Sequence, residues 1–389
     1  MGKWEMVRLG DVFKIASGGT PAKNRLDYYS KGTIPWVKTG DLKEKYINSE
    51  YVERITDLGL ANSSAKLFPS DTVLIAMYGA TIGATSILNF EACTNQACAA
   101  FLPSQSIQCE FLYYFLRSQK ANFIKLGVGG AQPNISATIL KEVLIPIPPL
   151  DEQKRIAKNL DLASEIVKGY KEQLAELDKL VQSVFYEMFG DPVINEKGWI
   201  SQSLLDFGSC KNGINFGANE NGIEIKYLGV GHFKELSIIN GVDNLSTISL
   251  KQVPSKEYLL KDGDIIFVRS NGNKNLVGRC VVVYPGDAAL TFSGFCIRFR
   301  KSSDKLMTIY LLHVLKCASV RRLLLGRGAN IQNLNQQTLK QLKVPVPPIS
   351  LQAQFVEIIT EIENQKKQIQ QALTEAEKLL NSLMQEYFE

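Results

Sequence analysis

The sequence has few of the features that mark secreted or membrane-spanning proteins. Its seven cysteines are an odd number without a Cys-x-x-Cys pair, which favours reduced thiols over a disulfide framework. No apolar run reaches the roughly 18 residues that a membrane span requires. The opening Met1-Gly2-Lys3-Trp4-Glu5 carries charges where a signal peptide needs an apolar stretch. We therefore expect a cytoplasmic protein.

Signatures of catalysis and of metal binding are also missing from the sequence. It contains neither a Gly-x-x-x-x-Gly-Lys-Ser/Thr phosphate loop nor the Asn/Asp-Pro-Pro-Tyr/Phe run of amino-methyltransferases. The two histidines, His232 and His313, lack the spacing of metal ligands. Asp71 and Asp264 stand in turns before strands, without the acidic cluster and lysine of a nuclease. These absences predict a non-catalytic chain that holds no cofactor or metal of its own.

Length and charge set broader limits on the class of protein. With 389 residues and 45% hydrophobic residues, the chain should form two or more domains with well-packed cores. The formal net charge of +5 and the pI near 8.6 are compatible with a polyanionic partner. Binding to DNA would require this positive charge to be concentrated on one face.

The main organising feature of the sequence is an internal repeat. Ile145-Pro146-Ile147-Pro148-Pro149-Leu150 returns as Val344-Pro345-Val346-Pro347-Pro348-Ile349, 199 residues further along the chain. Gln153 and Gln352 follow the two runs at the same displacement, and a long helical pattern follows each. The chain therefore reads as globular part, helix, globular part, helix.

Both helical patterns carry the a/d periodicity of a coiled coil, with Lys366 as the one polar exception. The predicted inward positions are Ile156, Leu160, Ala163, Val167, Tyr170, Leu174, Leu177, Val181, Val184 and Met188 in the first helix, and Phe355, Ile359, Ile362, Lys366, Ile369, Leu373, Ala376, Leu380, Leu383 and Tyr387 in the second. Because the second helix starts where the first delivers the chain, the two should pair antiparallel.

We predict an α+β fold with two similar globular domains, separated by a two-helix antiparallel coiled coil. The expected parts are domain 1 over 1–150, the central helix over 151–190, domain 2 over 191–349 and the C-terminal helix over 350–389. Leu160 should lie near Leu380 and Val167 near Leu373. The arrangement should be pseudo-two-fold and pseudo-circular, so both termini should be neighbours and a chain opened near Asn195 should still fold.

Two similar globular domains joined by a long helix pair suit a duplex with two separated recognition sequences. A helix of this length spans roughly 55 Å, so it would act as a ruler between half-sites. Since the two halves of the chain differ in sequence, the expected DNA site is bipartite and asymmetric.

Several short motifs also resemble the target recognition domain of Type I restriction–modification specificity subunits. These motifs are Ser17-Gly18-Gly19-Thr20-Pro21, Ile34-Pro35-Trp36-Val37-Lys38-Thr39-Gly40-Asp41-Leu42, Tyr78-Gly79-Ala80-Thr81-Ile82-Gly83, Thr94-Asn95-Gln96 and the segment from Ile145 to Gln153. The second half follows the same plan but lacks the Gly-Asp pair and places Arg269-Ser270-Asn271-Gly272-Asn273-Lys274 where the Tyr78 loop stands. The resemblance implies double-stranded DNA, two copies of a methyltransferase subunit and motor-nuclease subunits as partners. S-adenosylmethionine, ATP and Mg²⁺ are expected on those partner subunits.

Polar loops supply the candidates for base reading, because Arg and Lys recognise guanine and Asn and Gln recognise adenine. The candidates are Lys38, Thr39, Tyr78, Thr81, Gln132 and Asn134 in the first half, and Arg269, Asn271, Asn273, Lys274, Arg327, Asn330, Gln332, Asn333 and Asn335 in the second. Asn and Gly also make ordinary turns. Arg321, Arg322 and Lys125 are expected to contact phosphate or solvent, and Gly127-Val128-Gly129-Gly130 to form a loop beside DNA.

Two other functions remain open at the level of sequence. One is a single-chain site-specific nuclease whose carboxylates are not recognisable. The other is a coiled-coil adaptor that joins two proteins without binding nucleic acid.

Overall fold

The structure is a computed structural model that describes residues 4–126, 134–216, 222–233, 237–325 and 333–388. The helices are α1 (Leu9–Val12), α2 (Asp57–Ala61), α3 (Cys109–Ser118), α4 (Lys120–Leu126), α5 (Ala137–Glu142), α6 (Leu150–Phe189), α7 (Thr308–Lys316), α8 (Ala318–Leu325), α9 (Gln336–Gln341) and α10 (Ile349–Phe388). Within these described ranges, no helix has both the length and the apolar character needed to cross a membrane.

The strands of the described residues fall into two sets of ten. The first set is β1 (Met6–Arg8), β2 (Ile15–Ser17), β3 (Ile34–Val37), β4 (Glu53–Ile55), β5 (Leu67–Phe68), β6 (Val73–Ala76), β7 (Thr85–Ile87), β8 (Ala92–Thr94), β9 (Cys98–Phe101) and β10 (Leu144–Pro146). The second set is β11 (Ser201–Ser203), β12 (Gly208–Asn212), β13 (Ile223–Leu228), β14 (Ile238–Asn240), β15 (Thr247–Leu250), β16 (Asp264–Val268), β17 (Cys280–Tyr284), β18 (Leu290–Phe292), β19 (Cys296–Lys301) and β20 (Lys343–Pro345).

The chain folds into two compact units. Unit 1 comprises residues 1–172 and 369–389, and unit 2 comprises residues 173–368. Each unit therefore contains one globular part and portions of both long helices. Both chain ends belong to unit 1, as the pseudo-circular plan requires. The finer division into recognition domains ending at residues 150 and 349 stays a prediction.

The two units share most of their sheet topology, although the first sheet of unit 2 has one strand more and the second one strand fewer. In unit 1 one sheet has the order β2-β9-β6-β7 and another has β4-β3-β8-β5. In unit 2 the corresponding orders are β12-β19-β16-β17-β14 and β15-β13-β18. The second sheet of each unit contains one parallel pair, β3 with β8 and β13 with β18. The internal repeat and the α+β class are thereby confirmed.

A short antiparallel pair closes each globular part just before its long helix. Met6 pairs with Pro146 in unit 1, and Ser201 pairs with Pro345 in unit 2. The prolines that follow these strands stop them, and the long helices begin directly after Pro149 and Pro348. Helix α6 ends before Gly190, whose φ of +74° is the left-handed conformation typical of a helix end.

A buried glutamine locks the start of each long helix to the globular part. The side-chain amide of Gln153 donates to the carbonyls of Ser106 and Pro148 (2.9 Å each) and accepts from the Gln108 N–H at 2.9 Å. Both this glutamine and its counterpart Gln352 are fully buried.

Gln352 repeats every contact 199 residues later. It donates to the carbonyls of Lys305 and Pro347 at 3.0 and 2.9 Å, and it accepts from the Met307 N–H at 2.8 Å. Because the same three bonds form twice with different neighbours, they belong to the repeated architecture and not to one local environment.

The long helices pack antiparallel within unit 1. Asn159 donates to the Tyr387 hydroxyl at 3.1 Å, and Lys171 pairs with Glu377 at 2.8 Å, so ascending numbers in one helix meet descending numbers in the other. Phe388, at the end of α10, packs edge-on against the rings of Phe111 and Phe115 at 5.3 and 5.7 Å.

The same direction holds within unit 2. Lys366 pairs with Asp178 at 2.8 Å, and Phe355 packs against the ring of Phe185 at 5.5 Å. The charge of Lys366, the one polar inward position, is therefore balanced by an acidic residue of the other helix. Lys366 also forms an ion pair with Glu363 at 3.0 Å. The antiparallel pairing predicted from the order of helices and globular parts is confirmed in each unit.

The predicted inward positions of the two long helices are buried or half-buried. Leu160, Val167, Val181, Ile359, Ile362, Leu373 and Leu380 are at most 9% exposed, whereas Leu174 and Leu177 are half-buried. The expected inward positions Val184 and Met188 are half-buried and pack against the core of unit 2, and the neighbouring Phe185 and Phe189, which the periodicity did not predict, are fully buried. The reason is that the end of α6 packs against Tyr310 of α7 as well as against α10, which turns a second face inward.

His313 of α7 lies in this aromatic core, with its ring 5.2 Å from that of Phe355. Burial, the largest cause, and the positive charges of Lys316 and Lys366 together lower the pKa of His313 to about 3. In the unfolded chain the pKa of a histidine is about 6.5. Between these two values the unfolded chain binds one more proton than the folded chain.

We therefore expect unit 2 to lose stability as the pH falls from 7 to 5. The histidine contributes a loss of about 2 kcal/mol over this range, because its unfolded form becomes protonated while its folded form stays neutral. Urea unfolding at several pH values should give a shallower pH dependence for His313→Phe than for the wild type. Carboxylates contribute equally to both curves, so parallel curves would contradict the prediction.

Candidate nucleic-acid interface

Three segments that are distant in sequence meet at one edge of unit 1. The loop after β6 begins at Tyr78, which forms an isolated bridge with Asn134. Next to this bridge, the Ile135 N–H donates to the Met77 carbonyl at 2.9 Å. The Met77 N–H in turn donates to the carbonyl of Ala97, in the turn between β8 and β9, at 2.8 Å.

Unit 2 assembles the same three segments. Ser270 bridges Asn333, and the Leu334 N–H donates to the Arg269 carbonyl at 2.7 Å. The Arg269 N–H donates to the carbonyl of Phe295, in the turn between β18 and β19, at 2.8 Å. We call each set the reading surface of its unit: residues 77–83, 95–97 and 134–135 in unit 1, and residues 269–276, 293–295 and 333–335 in unit 2.

In each unit a glycine lets the three segments come together. Gly18 follows β2 in unit 1, and Gly213 follows β12 in unit 2. A Cβ on Gly18 would lie 1.9 Å from the Thr94 carbonyl oxygen, and one on Gly213 would lie 2.1 Å from that of Ser293. Only glycine permits so close an approach. The Ser-Gly-Gly motif of the sequence therefore has a structural role in seating the turn between the strands.

The reading surface of unit 1 includes some of its sequence candidates. Tyr78 is 42% exposed, Asn134 is exposed, and Thr81 is half-buried with its hydroxyl donating to the Tyr78 carbonyl at 3.2 Å. Lys38 and Thr39 follow β3 on the other sheet, and Lys38 forms an ion pair with Glu53. Gln132 lies outside the described residues.

The candidates of unit 2 are more concentrated. Arg269 is half-buried and donates from Nη1 to the Gly294 carbonyl at 3.3 Å. The side-chain oxygens of Asn271, Asn273 and Asn335 accept backbone N–H groups of Asn273, Asn275 and Thr338, which leaves their NH₂ groups as donors. Lys274 and Asn333 are exposed. Arg327, Asn330 and Gln332 lie outside the described residues, as does the loop at Gly127.

Arg321 has a role different from the expected contact with phosphate or solvent. Its Nη2 donates to the Asn275 carbonyl at 3.1 Å. Burial lowers the pKa of this guanidinium, which is consistent with a side chain turned into the protein. Arg321 therefore braces the loop that carries Asn271, Asn273 and Lys274, whereas Arg322 is exposed.

A carboxylate and two thiols that could in principle act in catalysis are buried, and the carboxylate is held by an arginine. Asp264 is 2% exposed and accepts two bonds from Arg300, at 2.8 and 2.6 Å. Burial raises the pKa of the thiols of Cys98 and Cys296, beside the two turns, to about 12, so neither is a nucleophile at neutral pH. Across the part of the chain that the structure describes, no cluster of His, Cys, Asp or Glu could hold a metal ion.

One exposed residue of unit 2 was missed by the sequence reasoning. Phe295 is 60% exposed and lies in the turn that contacts Arg269. The corresponding residue of unit 1 is Ala97, which is half-buried. The available signal was its position directly before the buried strand β19, where an aromatic residue has no strand partner to cover it.

Two similar units, each with a polar surface built from three loops and each joined to an antiparallel helix pair, define a duplicated recognition protein. The sequence profile of the Type I restriction modification DNA specificity domain matches residues 1–177 and again residues 196–377. The chain belongs to this family, and it is a specificity subunit with two target recognition domains.

Individual relatives agree with this assignment. The chain is 29% identical to the Type I restriction enzyme MjaIX specificity subunit of Methanocaldococcus jannaschii, over 69% of this chain and 66% of that protein. It is 27% identical to the StySPI specificity subunit of Salmonella potsdam, over 99% of this chain and 88% of that protein. Specificity subunits are the DNA-recognition component of the restriction–modification complex, so the chain is not itself the catalyst.

Solved structures share the fold. A crystal structure of the S subunit of a Type I restriction-modification system from M. genitalium matches with a TM-score of 0.57 at 17% identity, covering 100% of this chain and 96% of that one. A chain from a structural study of complex assembly and conformational transition in a type I system matches with a TM-score of 0.62 at 18% identity, covering 99% and 97%.

Proposed function

We propose that each unit reads one half-site of a bipartite, asymmetric sequence in double-stranded DNA. The observation that carries this proposal is the reading surface, which has the same backbone contacts in both units but different side chains. Backbone bonds shared by both units hold the loops at fixed positions, whereas the side chains on them differ, as recognition of two different half-sites requires.

The test is to remove one side chain from each reading surface. Arg269→Ala should relax base preference in one half-site, by about 1–3 kcal/mol per lost base contact, and Tyr78→Ala should affect only the other half-site. Selection of bound duplexes from a library randomised in both half-sites measures this. If either substitution degraded both half-sites equally, the assignment of one half-site to each unit would be wrong.

Matched controls are available in each unit. Lys251→Ala removes an exposed cation outside the reading surface of unit 2, and Tyr51→Ala removes a tyrosine that is 82% exposed outside that of unit 1. Neither should change the selected bases.

Binding should weaken steeply with salt, because phosphate contacts release counterions. A chain that ignored duplex DNA at low salt would favour the adaptor function, and cleavage of DNA with Mg²⁺ alone would favour the nuclease.

The chain would also dock its partners, two methyltransferase subunits that bind S-adenosylmethionine and motor-nuclease subunits that use ATP and Mg²⁺. Apolar side chains on the outer faces of the long helices support protein docking. Leu162, Ile166 and Leu379 of unit 1 are 50–55% exposed, and Leu180 and Ile358 of unit 2 are 45% and 40% exposed. Because these partners act on chromosomal and invading DNA, the expected location is the cytoplasm.

A further inference from the structure

The turn that carries Phe295 is held by a dense set of backbone bonds. The Gly294 N–H donates to the Ile214 carbonyl at 2.7 Å, and the Cys296 N–H donates to the Ser293 carbonyl at 2.8 Å. The Phe295 carbonyl accepts from Arg269 at 2.8 Å and from Ser270 at 3.3 Å. The backbone position of Phe295 is therefore fixed relative to the loop of Arg269.

The side chain of Phe295 is unusual in this setting. A phenylalanine gains about 1.5–3 kcal/mol from full burial, and this one is 60% exposed among polar loops. Ala97 at the corresponding position shows that the turn forms without an aromatic ring. The ring therefore adds nothing that the repeated fold requires, which indicates a role in contact with a ligand.

The neighbours of Phe295 determine what that contact can be. Arg269 lies against the same turn, since its Nη1 donates to the Gly294 carbonyl at 3.3 Å. Asn333 and Asn271 stand on the adjoining segments. These side chains offer hydrogen bonds to guanine and adenine edges, and none of them can recognise an apolar group. Thymine alone presents a methyl group in the major groove, and an apolar contact from a side chain such as phenylalanine recognises it.

We propose that Phe295 is a specificity-determining residue that contacts the C5-methyl group of a thymine in the half-site read by unit 2. This inference rests on the proposed function of the reading surfaces. It assigns to unit 2 an aromatic contact that unit 1 lacks at the same position, because Ala97 there carries only one methyl group and is half-buried.

The test uses substitution of thymine by deoxyuridine, which removes only the methyl group. The preferred site is first selected with the full wild-type chain, and each thymine of both half-sites is then replaced in turn. One replacement in the unit 2 half-site should weaken wild-type binding about three- to tenfold, the loss expected for one buried methyl. Phe295→Ala should bind the two duplexes equally, and Phe295→Tyr should keep the wild-type preference.

The outcomes separate failure of this inference from failure of the proposed function. If the wild type selects no bipartite site, the proposed function fails. If it selects one but Phe295→Ala still distinguishes thymine from deoxyuridine, or no replacement matters, only the contact of Phe295 is overturned. If no replacement weakened wild-type binding but Phe295→Ala lost the same affinity for every duplex, as expected for a ring wedged between base pairs, the methyl contact would also be overturned. Val253→Ala, which trims a valine that is 56% exposed, serves as the matched control and should leave every ratio unchanged.

Discussion

Phe189→Ala should lower the free energy of unfolding of unit 2 by about 3–5 kcal/mol. The Phe189 ring is 1% exposed and lies 4.7 Å from the ring of Tyr310 and 5.3 Å from that of Phe355. Its removal leaves a cavity where α6, α7 and α10 meet. Its carbonyl also accepts the Trp199 indole N–H at 3.0 Å, so displacement of the helix end would disturb the entry into the second globular part.

Urea unfolding combined with hydrogen exchange of the α7 amides measures this loss, because hydrogen exchange reports on each unit separately. Leu180→Ala is the control on the same helix, since Leu180 is 45% exposed and should change stability by less than about 0.5 kcal/mol. Phe388→Ala, the equivalent change 199 residues later, should instead destabilise unit 1. Equal effects of the phenylalanine and the leucine substitutions would contradict the packing described for α6.

Gln352→Ala should cost unit 2 about 3 kcal/mol. The substitution leaves the buried carbonyl of Pro347, and the part-buried N–H of Met307 and carbonyl of Lys305, without their partner. Each buried polar group that loses its hydrogen bond costs about 1–3 kcal/mol, and partial relaxation keeps the total below the sum. Faster hydrogen exchange at the amide of Met307 would be the local sign of the change.

The exposed Gln368 on the same helix provides the matched control, and Gln368→Ala should leave both measurements at wild-type values. Gln153→Ala should reproduce the loss in unit 1, with the exchange effect at the amide of Gln108. Gln352→Glu distinguishes packing from hydrogen bonding, because the carboxylate fills the same volume but cannot donate to two carbonyls. A glutamate variant as stable as the wild type would show that these bonds are not needed.

The inward positions of the two long helices show what hydrophobic periodicity predicts and what it misses. Positions spaced by three and four predicted burial well where a helix packs on one partner helix, as at Leu160 and Ile359. Periodicity did not predict the burial of Phe185 and Phe189, because a second surface from α7 contacts the helix there. A single sequence does not reveal where that additional partner begins.

The candidate site shows the same division. Amide and guanidinium side chains in Gly-rich and Asn-rich loops could be picked out because the chemistry of base recognition limits the residue types. The bridges from Tyr78 to Asn134 and from Ser270 to Asn333 could not, since they join segments separated by several strands and helices. The exposure of Phe295 and the inward position of Arg321 depend on those same contacts.

The sequence by itself determined the duplication, the α+β class, the starts of both long helices and their antiparallel pairing. These follow from local signals, namely repeated motifs, prolines and a hydrophobic period, which act over a few turns of chain. Only the tertiary structure decided that Gln153 and Gln352 clamp the helix starts and that three distant loops form each reading surface. Those features depend on which backbone groups are buried beside which side chains, and burial is a property of the packed chain as a whole.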